Sequence, residues 1–246
     1  MDYNKLTDGE ALSVEKFKNP SPEFGIMPFW FWNGEMDYDE MEYQLRELHA
    51  KGIPGIHIHA RFGINDYCPY MGEDWLEGYV EFTIRKAQEI GMQVWIYDEY
   101  NWPSGTCCKQ VMEKNPDLTE VYLEMVDNYI PGQYFMFMEG TDSRYNDLEE
   151  SEPIYACAMK IEDMEKGNFE YVDLMPTLSF DKVISWEAPK GPWKLCYFIE
   201  RKANWYCDVL NPESTEKFLE YTHEQYKKRI GGSFSKDVKG FFTDEP

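Results

Sequence analysis

Hydrophobic positions in the first part of the chain switch between a strand pattern and a helix pattern. The apolar run IMPFWFW predicts a buried strand at 26–32, and helical spacing of apolar residues begins after Asp37, a suitable N-cap, and stops at Gly52. The runs at 53–60 and 92–98 predict two further strands, with a second helical segment between them. Strands and helices that alternate with short connections indicate parallel strands with helices packed outside them.

The pattern changes between residues 117 and 200, where apolar and polar residues alternate with a period of two. These runs are separated by Gly, Pro, Asn and Asp turns, which favours an antiparallel β insertion. Helical spacing returns at 212–230, and the apolar run 238–243 predicts a fourth parallel strand. The prediction is therefore an α/β fold in which 1–116 and 201–246 form the parallel layer and 117–200 forms a β-rich insertion.

Composition and charge narrow the function classes. The chain has 246 residues and is 43% hydrophobic and 17% aromatic, which is too high for a disordered protein. Its net charge of −22 would repel phosphate backbones and anionic lipid, so we predict neither a nucleic-acid nor a membrane partner. Residues 1–17 have neither a basic start nor an apolar segment, and we therefore expect a cytoplasmic protein. The six cysteines show no CxxC spacing and are expected to be free thiols.

Every predicted parallel strand ends in polar and aromatic residues. In parallel α/β folds, the carboxyl ends of the strands form the ligand crevice. Carboxylates beside aromatic rings suit carbohydrate, because flat apolar rings pack against sugar C–H groups and glycosidic cleavage needs carboxyl groups as proton donor and nucleophile or base. The candidate residues are Trp30, Trp32 and Asn33 after the first strand, His59 and Arg61 after the second, Asp98, Glu99, Asn101 and Trp102 after the third, and Asp244 and Glu245 after the fourth.

An alternative site is the pair His57 and His59. Residues two apart on a strand face the same side, and such a pair can bind zinc or iron in barrel hydrolases. A metal-dependent hydrolase therefore stays open as a second enzyme class. It would need further ligands, and the two remaining histidines, His49 and His223, fall on predicted outer helices. We accordingly predict no metal among the site residues.

Four segments carry a family resemblance. They are residues 28–61, which begin PFWFWNG, residues 94–111, which contain YDEYNWPSG, DVLNPESTEKFLEYTHEQY at 208–226 and GFFTDEP at 240–246. Together they resemble the N-terminal part of the catalytic barrel in bacterial glycoside hydrolases of the family that includes α-L-rhamnosidases, family 106 and its relatives. The similarity covers roughly the whole chain outside the β insertion, and the segment at 97–105 is its most specific motif.

The resemblance implies a (β/α)₈ barrel whose acid/base glutamate follows the fourth strand. Glu245 matches that position, which makes it the candidate catalytic residue. Asp98 and Glu99, like Trp32 and Asn33, match positions that line the sugar subsite in the family. Some members of the family use calcium, which is the one cofactor that the resemblance suggests. We find no calcium ligands among these residues and expect no other cofactor.

A closed barrel of this type has eight strands, and this sequence supplies four. We therefore expect a partial barrel, its first four βα units, with the second catalytic carboxylate beyond Pro246. An open sheet edge would need a missing C-terminal half or a second copy in a homodimer to cover it. The predicted function is hydrolysis of a carbohydrate substrate by carboxylate acid/base catalysis. A non-catalytic carbohydrate-binding protein is the other alternative, although binding alone does not require Glu245.

Overall fold

The computed structural model describes most of the chain, and the described residues divide into two compact units. The first unit comprises the described residues up to Leu118 together with Val209–Pro246, and the second comprises Thr119–Asp208. The predicted lack of a signal sequence rests on residues 1–17, of which 1–13 lie outside the described residues. The structure describes residues 14–21, 24–131, 135–139, 153–179 and 183–246.

Helices and strands alternate in the first unit, and strands dominate the second. A π-helical turn, Asp74–Val80, leads directly into the third α-helix. In chain order the elements are α1 (Val14–Lys18), β1 (Phe29–Trp32), α2 (Tyr38–Ala50), β2 (Gly55–Ala60), α3 (Glu81–Ile90), β3 (Gln93–Tyr100), α4 (Gln110–Lys114), β4 (Thr119–Ile130), β5 (Phe135–Glu139), β6 (Pro153–Lys160), α5 (Ile161–Met164), β7 (Tyr171–Asp173), β8 (Val183–Glu187), β9 (Trp193–Cys207), α6 (Pro212–Tyr221), α7 (His223–Ile230) and β10 (Val238–Phe242).

Four parallel strands of the first unit form one sheet in the order β1-β2-β3-β10. Ile58 pairs with Ile96, and Ala60 pairs with Tyr100, so β3 carries two more residues than β2 over the same interval. This irregularity lies at Asp98 and Glu99, at the carboxyl end of the strand. The fold is mixed α/β with one parallel and one antiparallel sheet, and within the described residues the parallel sheet does not close into a barrel.

One face of the parallel sheet packs on the helices. Ile56, Ile58 and Ile96 are fully buried on this side, and burial of such side chains is the main favourable term in folding. The predicted start of α2 is confirmed, because Asp37 Oδ1 accepts a 2.8 Å hydrogen bond from the N–H of Glu40. The apolar pattern and the N-cap visible in the sequence therefore account for the helices on this face.

The opposite face of the sheet is rich in aromatic side chains that stay partly exposed. Phe29 contacts Phe242 with ring centroids 5.0 Å apart, and Phe31 contacts His59 at 5.2 Å. All three phenylalanines are exposed to solvent. In a closed barrel this face would line the interior, which other strands would fill.

The continuous helical pattern at 212–230 forms two helices instead of one. The backbone turns at Thr222, with φ −116° and ψ −83°, between α6 and α7. The Thr222 hydroxyl group donates to the Phe218 carbonyl at 2.5 Å and so satisfies a carbonyl near the end of α6. The break sets His223 at the first position of α7, facing the sheet.

The second unit contains an antiparallel sheet in the order β4-β9-β6-β7 and a two-stranded pair, β5 with β8. The predicted antiparallel β structure is therefore present, although 132–134, 140–152 and 180–182 lie outside the described residues. Its predicted end at residue 200 is too early. Strand β9 continues to Cys207 and keeps its pairing with β4, so 201–207, assigned to the parallel layer from sequence, belong to this unit.

The described helices are short. The α2 helix has 13 residues, and none of the helices in the described ranges has the length and apolar character that a bilayer crossing needs.

All six cysteines, including the adjacent Cys107 and Cys108, are free thiols.

Candidate active site

The carboxyl ends of the parallel strands form one rim, on which several predicted residues meet. The Thr243 hydroxyl group, just after β10, donates a 2.6 Å hydrogen bond to Asp98 Oδ2 on β3. The N–H of Ser104 donates to the Asp244 carbonyl at 2.8 Å, and the N–H of Asp244 donates to Ser104 Oγ at 3.0 Å. These bonds join the loop after β3 to the segment after β10, which carries Glu245. We call this region the strand-end rim.

Asp98 organises the rim from within. Its side chain is fully buried and accepts hydrogen bonds from the hydroxyl groups of Ser104 and Thr243, each at 2.6 Å. His223 Nε2 lies 3.2 Å from Asp98 Oδ2. Sequence reasoning placed His223 on an outer helix and missed this contact, which depends on the break at Thr222. Asp98, predicted to contact sugar, therefore has both oxygens engaged by protein groups and holds the rim together.

Glu99 anchors the loop that follows β3. Its carboxylate is fully buried and accepts hydrogen bonds from residues 100–108, including the Thr106 hydroxyl group at 3.2 Å. Burial raises the pKa of Glu99, and the surrounding N–H groups act in the opposite direction. In this conformation the oxygens of Glu99, predicted to contact sugar, are therefore engaged by protein donors. Its backbone donors, at 2.5 to 3.3 Å, are the N–H groups of Tyr100, Gly105, Thr106, Cys107 and Cys108.

The loop reaches this arrangement through left-handed backbone conformations. Cys107, Cys108 and Lys109 have φ angles of 50°, 55° and 66°, which residues other than glycine adopt infrequently. Successive N–H groups in such a conformation point toward one centre and form an anion nest. In this chain the nest holds an internal carboxylate, Glu99, which compensates for the unusual backbone.

Tyr97 and His59 form a buried pair beside Asp244. The Tyr97 hydroxyl group donates to Asp244 Oδ2 at 2.7 Å, and its ring stacks on His59 with centroids 3.5 Å apart and planes 12° apart. Burial lowers the pKa of His59 to about 4, so the imidazole is neutral near pH 7. Its Nε2 lies 3.0 Å from the Asn101 carbonyl, which fits an Nε2–H donor. The His59 ring therefore packs beneath the rim as a neutral imidazole.

The two tryptophans of β1 face the helices. Trp30 Nε1 donates to Gln44 Oε1 on α2 at 2.7 Å. Trp32 is 2% exposed and packs against Trp75 with ring centroids 5.0 Å apart. Trp30 and Trp32, predicted as sugar-stacking surfaces, therefore have their rings on the helix side of the sheet. Side chains alternate along a strand, so Phe31 faces away from the helices. Phe31 was not among the residues predicted from the sequence.

Exposed aromatic rings do occur at the rim, and Arg61 lies among them. Trp102 is 51% exposed and Phe31 is 50% exposed. Arg61 Cζ lies 5.2 Å from the centre of the Phe31 ring and 5.0 Å from that of Trp102, within the range of cation–π attraction. The structure thus brings the predicted residues Arg61 and Trp102 together at the rim.

The two predicted asparagines differ in their surroundings. Asn101 is buried, its N–H donates to the Ala60 carbonyl at 2.9 Å, and its Oδ1 accepts from the N–H of Phe62 at 3.0 Å. It therefore fixes the loop after β3 to the end of β2. Asn33 is exposed at the end of β1, and its carbonyl lies 2.5 Å from where a Cβ on Gly63 would stand. Only glycine fits at position 63, where φ is 101°.

Glu245 stands at the outer edge of the rim. Its side chain is exposed, and none of the described residues hydrogen-bonds it. Its φ angle of 44° is a left-handed backbone conformation, which residues other than glycine adopt infrequently. Asp244 is half-buried, with Oδ2 accepting from Tyr97. The candidate acid is thus the solvent-facing member of the two adjacent carboxylates.

Calcium was the one cofactor suggested for the rim, and two of its carboxylates are already engaged by protein donors. Calcium needs six or more oxygen ligands, and the oxygens of Asp98 and Glu99 already accept hydrogen bonds from protein donors. Among the described residues, no group of three or more His, Cys, Asp and Glu side chains is arranged to hold a metal ion. His57 and His59 lie among aromatic rings, in contact with Phe29 at 5.3 Å and 5.5 Å. Within the described ranges, this arrangement gives the metal-hydrolase alternative no further ligands.

The sequence matches no protein-family model, and none of the curated proteins matches it. In structure, the chain is similar to a rhamnosidase from Novosphingobium sp. PP1Y, with 12% sequence identity and a TM-score of 0.48. The match covers 94% of this chain and 39% of that chain. This chain therefore spans well under half the length of that protein.

Proposed function

We propose that the chain carries part of the active site of a glycoside hydrolase, with Glu245 as general acid. One observation carries the proposal. The paired hydrogen bonds between Ser104 and Asp244 hold the loop with the exposed Trp102 beside the segment with the exposed Glu245. An aromatic surface and a carboxyl group on one rim are the parts that sugar binding and glycosidic cleavage require.

Each side chain has a distinct role in this proposal. A sugar ring packs its C–H face on Trp102, while Glu245 donates a proton to the glycosidic oxygen as the bond to the leaving group breaks. Asp244 Oδ2 is engaged by Tyr97, which fixes the carboxylate and leaves Oδ1 to accept from a sugar hydroxyl group. Asn33, exposed at the end of β1, supplies a further amide for hydroxyl groups.

Glycosidic cleavage also needs a second carboxyl group, as nucleophile or as the base that activates water. Asp98 and Glu99 are fully buried and engaged by protein donors, so neither fits that role. In this proposal the second carboxylate comes from strands that continue the parallel sheet, in a longer form of the protein or in a second copy. Those strands would also cover the exposed side chains of Phe29 and Phe242.

A second candidate function is carbohydrate binding without hydrolysis. The exposure of Glu245, without a hydrogen-bond partner among the described residues, favours it. Catalytic acids are more often set in a cleft that excludes water. The aromatic surface of Trp102 and Phe31 would serve both functions equally.

Release of nitrophenol from a panel of aryl glycosides, α-L-rhamnosides included, tests the proposal. Wild-type protein is compared with Glu245→Gln and with Glu216→Gln, which changes an exposed glutamate on α6. We expect hydrolysis by the wild type and by Glu216→Gln, and a rate at least 100-fold lower for Glu245→Gln, in line with loss of a general acid. Equal rates for all three proteins would contradict the role of Glu245. Binding of the glycosides without any hydrolysis would support the second candidate.

A further inference from the structure

We propose that Arg61 binds the carboxylate of an acidic sugar, so that the ligand of the strand-end rim is a glycan containing a uronic acid. The inference rests on the proposed function for its ligand class, carbohydrate. It goes further in naming the charge of the sugar and the residue that selects it.

Arg61 is held at the rim by three neighbouring segments. Its N–H donates to the Trp32 carbonyl at 2.9 Å, and its carbonyl accepts from the N–H of Ile64 at 3.1 Å. Its guanidinium group lies over Phe31 at the end of β1 and over Trp102 in the loop after β3. These contacts restrict the side chain without using its N–H donors, so less entropy is lost when an anion binds.

The guanidinium group has no anionic partner within the described part of the chain. It makes no hydrogen bond or ion pair there, although the side chain is half-buried. The chain has 46 Asp and Glu against 24 Lys and Arg, so acidic partners are abundant. Three other arginines each pair with a glutamate, namely Arg46, Arg201 and Arg229. Arg61 is therefore available to an external anion.

The surroundings favour a singly charged carboxylate. Asp244 and Glu245 lie on the same rim and would repel a doubly charged phosphate more strongly than a single charge. The planar guanidinium fork matches a carboxylate in a bidentate pair. Phe31 and Trp102, each about half exposed, provide apolar contact for a ring beside that pair. A pyranose ring that bears one carboxylate satisfies both conditions.

The direct test is binding of methyl glucuronide and methyl galacturonide against the neutral methyl glucoside and methyl galactoside. Dissociation constants come from NMR titration of the tryptophan indole signals at low ionic strength. We expect the uronides to bind at least fivefold more tightly than the neutral sugars, and salt to weaken only the uronides. Equal affinities would overturn the inference. A 6-sulfated hexoside that binds as tightly as the uronides would overturn the choice of a carboxylate.

Two substitutions and a matched control complete the test. Arg61→Gln should abolish the preference for uronides, and Arg61→Lys should retain only part of it, because lysine lacks the bidentate fork. Arg85→Gln removes an arginine that also lies over a phenylalanine, Phe82 at 5.4 Å, but on α3, and it should keep the full preference. A preference that survives Arg61→Gln, or one that disappears in Arg85→Gln, would overturn the proposal. Thermal unfolding verifies that each variant is folded, and the salt dependence of the wild type needs no variant.

The result also separates this inference from the proposed function. Uronide binding that depends on Arg61, without hydrolysis of any glycoside, would support the inference and contradict the hydrolase. Hydrolysis that depends on Glu245, with no preference for acidic sugars, would support the hydrolase and contradict the inference about Arg61. Failure of every sugar to bind would contradict both.

Discussion

Ser104 Oγ lies 2.6 Å from Asp98 Oδ1 and donates a hydrogen bond to it. The same oxygen accepts from the N–H of Asp244 at 3.0 Å. One hydroxyl group thereby connects a buried carboxylate on β3 to the chain segment that carries Glu245. The positions of Trp102 and Glu245 relative to each other depend on this connection, because Ser104 follows Trp102 by two residues and Asp244 precedes Glu245.

Replacement of Ser104 by alanine should destabilise the protein by about 1–3 kcal/mol, since Asp98 stays buried with one donor fewer. Urea denaturation measures the change in the free energy of unfolding. Ser214→Ala is the matched control, because Ser214 is also buried and its Oγ has no hydrogen-bond partner among the described residues. We expect it to be close to neutral. Equal decreases in the free energy of unfolding for the two variants would show that the hydrogen bond from Ser104 to Asp98 does not stabilise the protein.

Replacement of Glu99 by glutamine should cost at least about 2 kcal/mol, because the backbone donors of the nest lose a charged acceptor and face an amide N–H₂ group. The loop from Asn101 to Lys109 should also become more sensitive to proteolysis. Glu113→Gln, at an exposed position on α4, is the control and should change neither property. If Glu99→Gln unfolds at the same urea concentration as the wild type, the anchoring role of Glu99 is refuted.

The low pKa of His59 predicts a dependence of stability on pH. Burial lowers this pKa from 6.5 to about 4, so between these pH values the unfolded chain binds more protons than the folded one. Stability should therefore fall as the pH decreases from about 6.5 to about 4, by up to about 3 kcal/mol from this residue.

Variants at two histidines isolate this effect. His59→Gln should show a shallower loss of stability than the wild type over that pH range, measured by urea denaturation at each pH. His49→Gln, which changes an exposed histidine on α2, should follow the wild-type curve. Burial also lowers the pKa of His57, which remains in both variants and acts in the same direction. Parallel curves for His59→Gln and the wild type would contradict the buried, neutral imidazole.

The sequence was sufficient to predict the order of the parallel strands. Helical and strand periods are local properties, and the cap at Asp37 is a local hydrogen bond. Which face of β1 meets the helices was not predictable, because both faces of FWFW are aromatic. The sequence therefore pointed to Trp30 and Trp32 as stacking surfaces, whereas the aromatic ring of β1 that is exposed at the rim is Phe31.

Two further features escaped prediction because no local pattern signals them. The nest around Glu99 depends on left-handed backbone at Cys107, Cys108 and Lys109, residues whose types do not favour that conformation. The contact of His223 with Asp98 depends on a helix break at Thr222 within an unbroken apolar period. Both arise from tertiary hydrogen bonds, which a single sequence does not display.

Binding of ligands at the strand-end rim can be tested through the response of individual tryptophans to a sugar. Assigned indole N–H signals are followed by NMR during titration with methyl glycosides, neutral and acidic. We expect the Trp102 signal to shift together with the backbone signal of Glu245, while the signal of Trp32, which is 2% exposed on the helix side, stays unchanged. Shifts at Trp32 without shifts at Trp102 and Glu245 would contradict it.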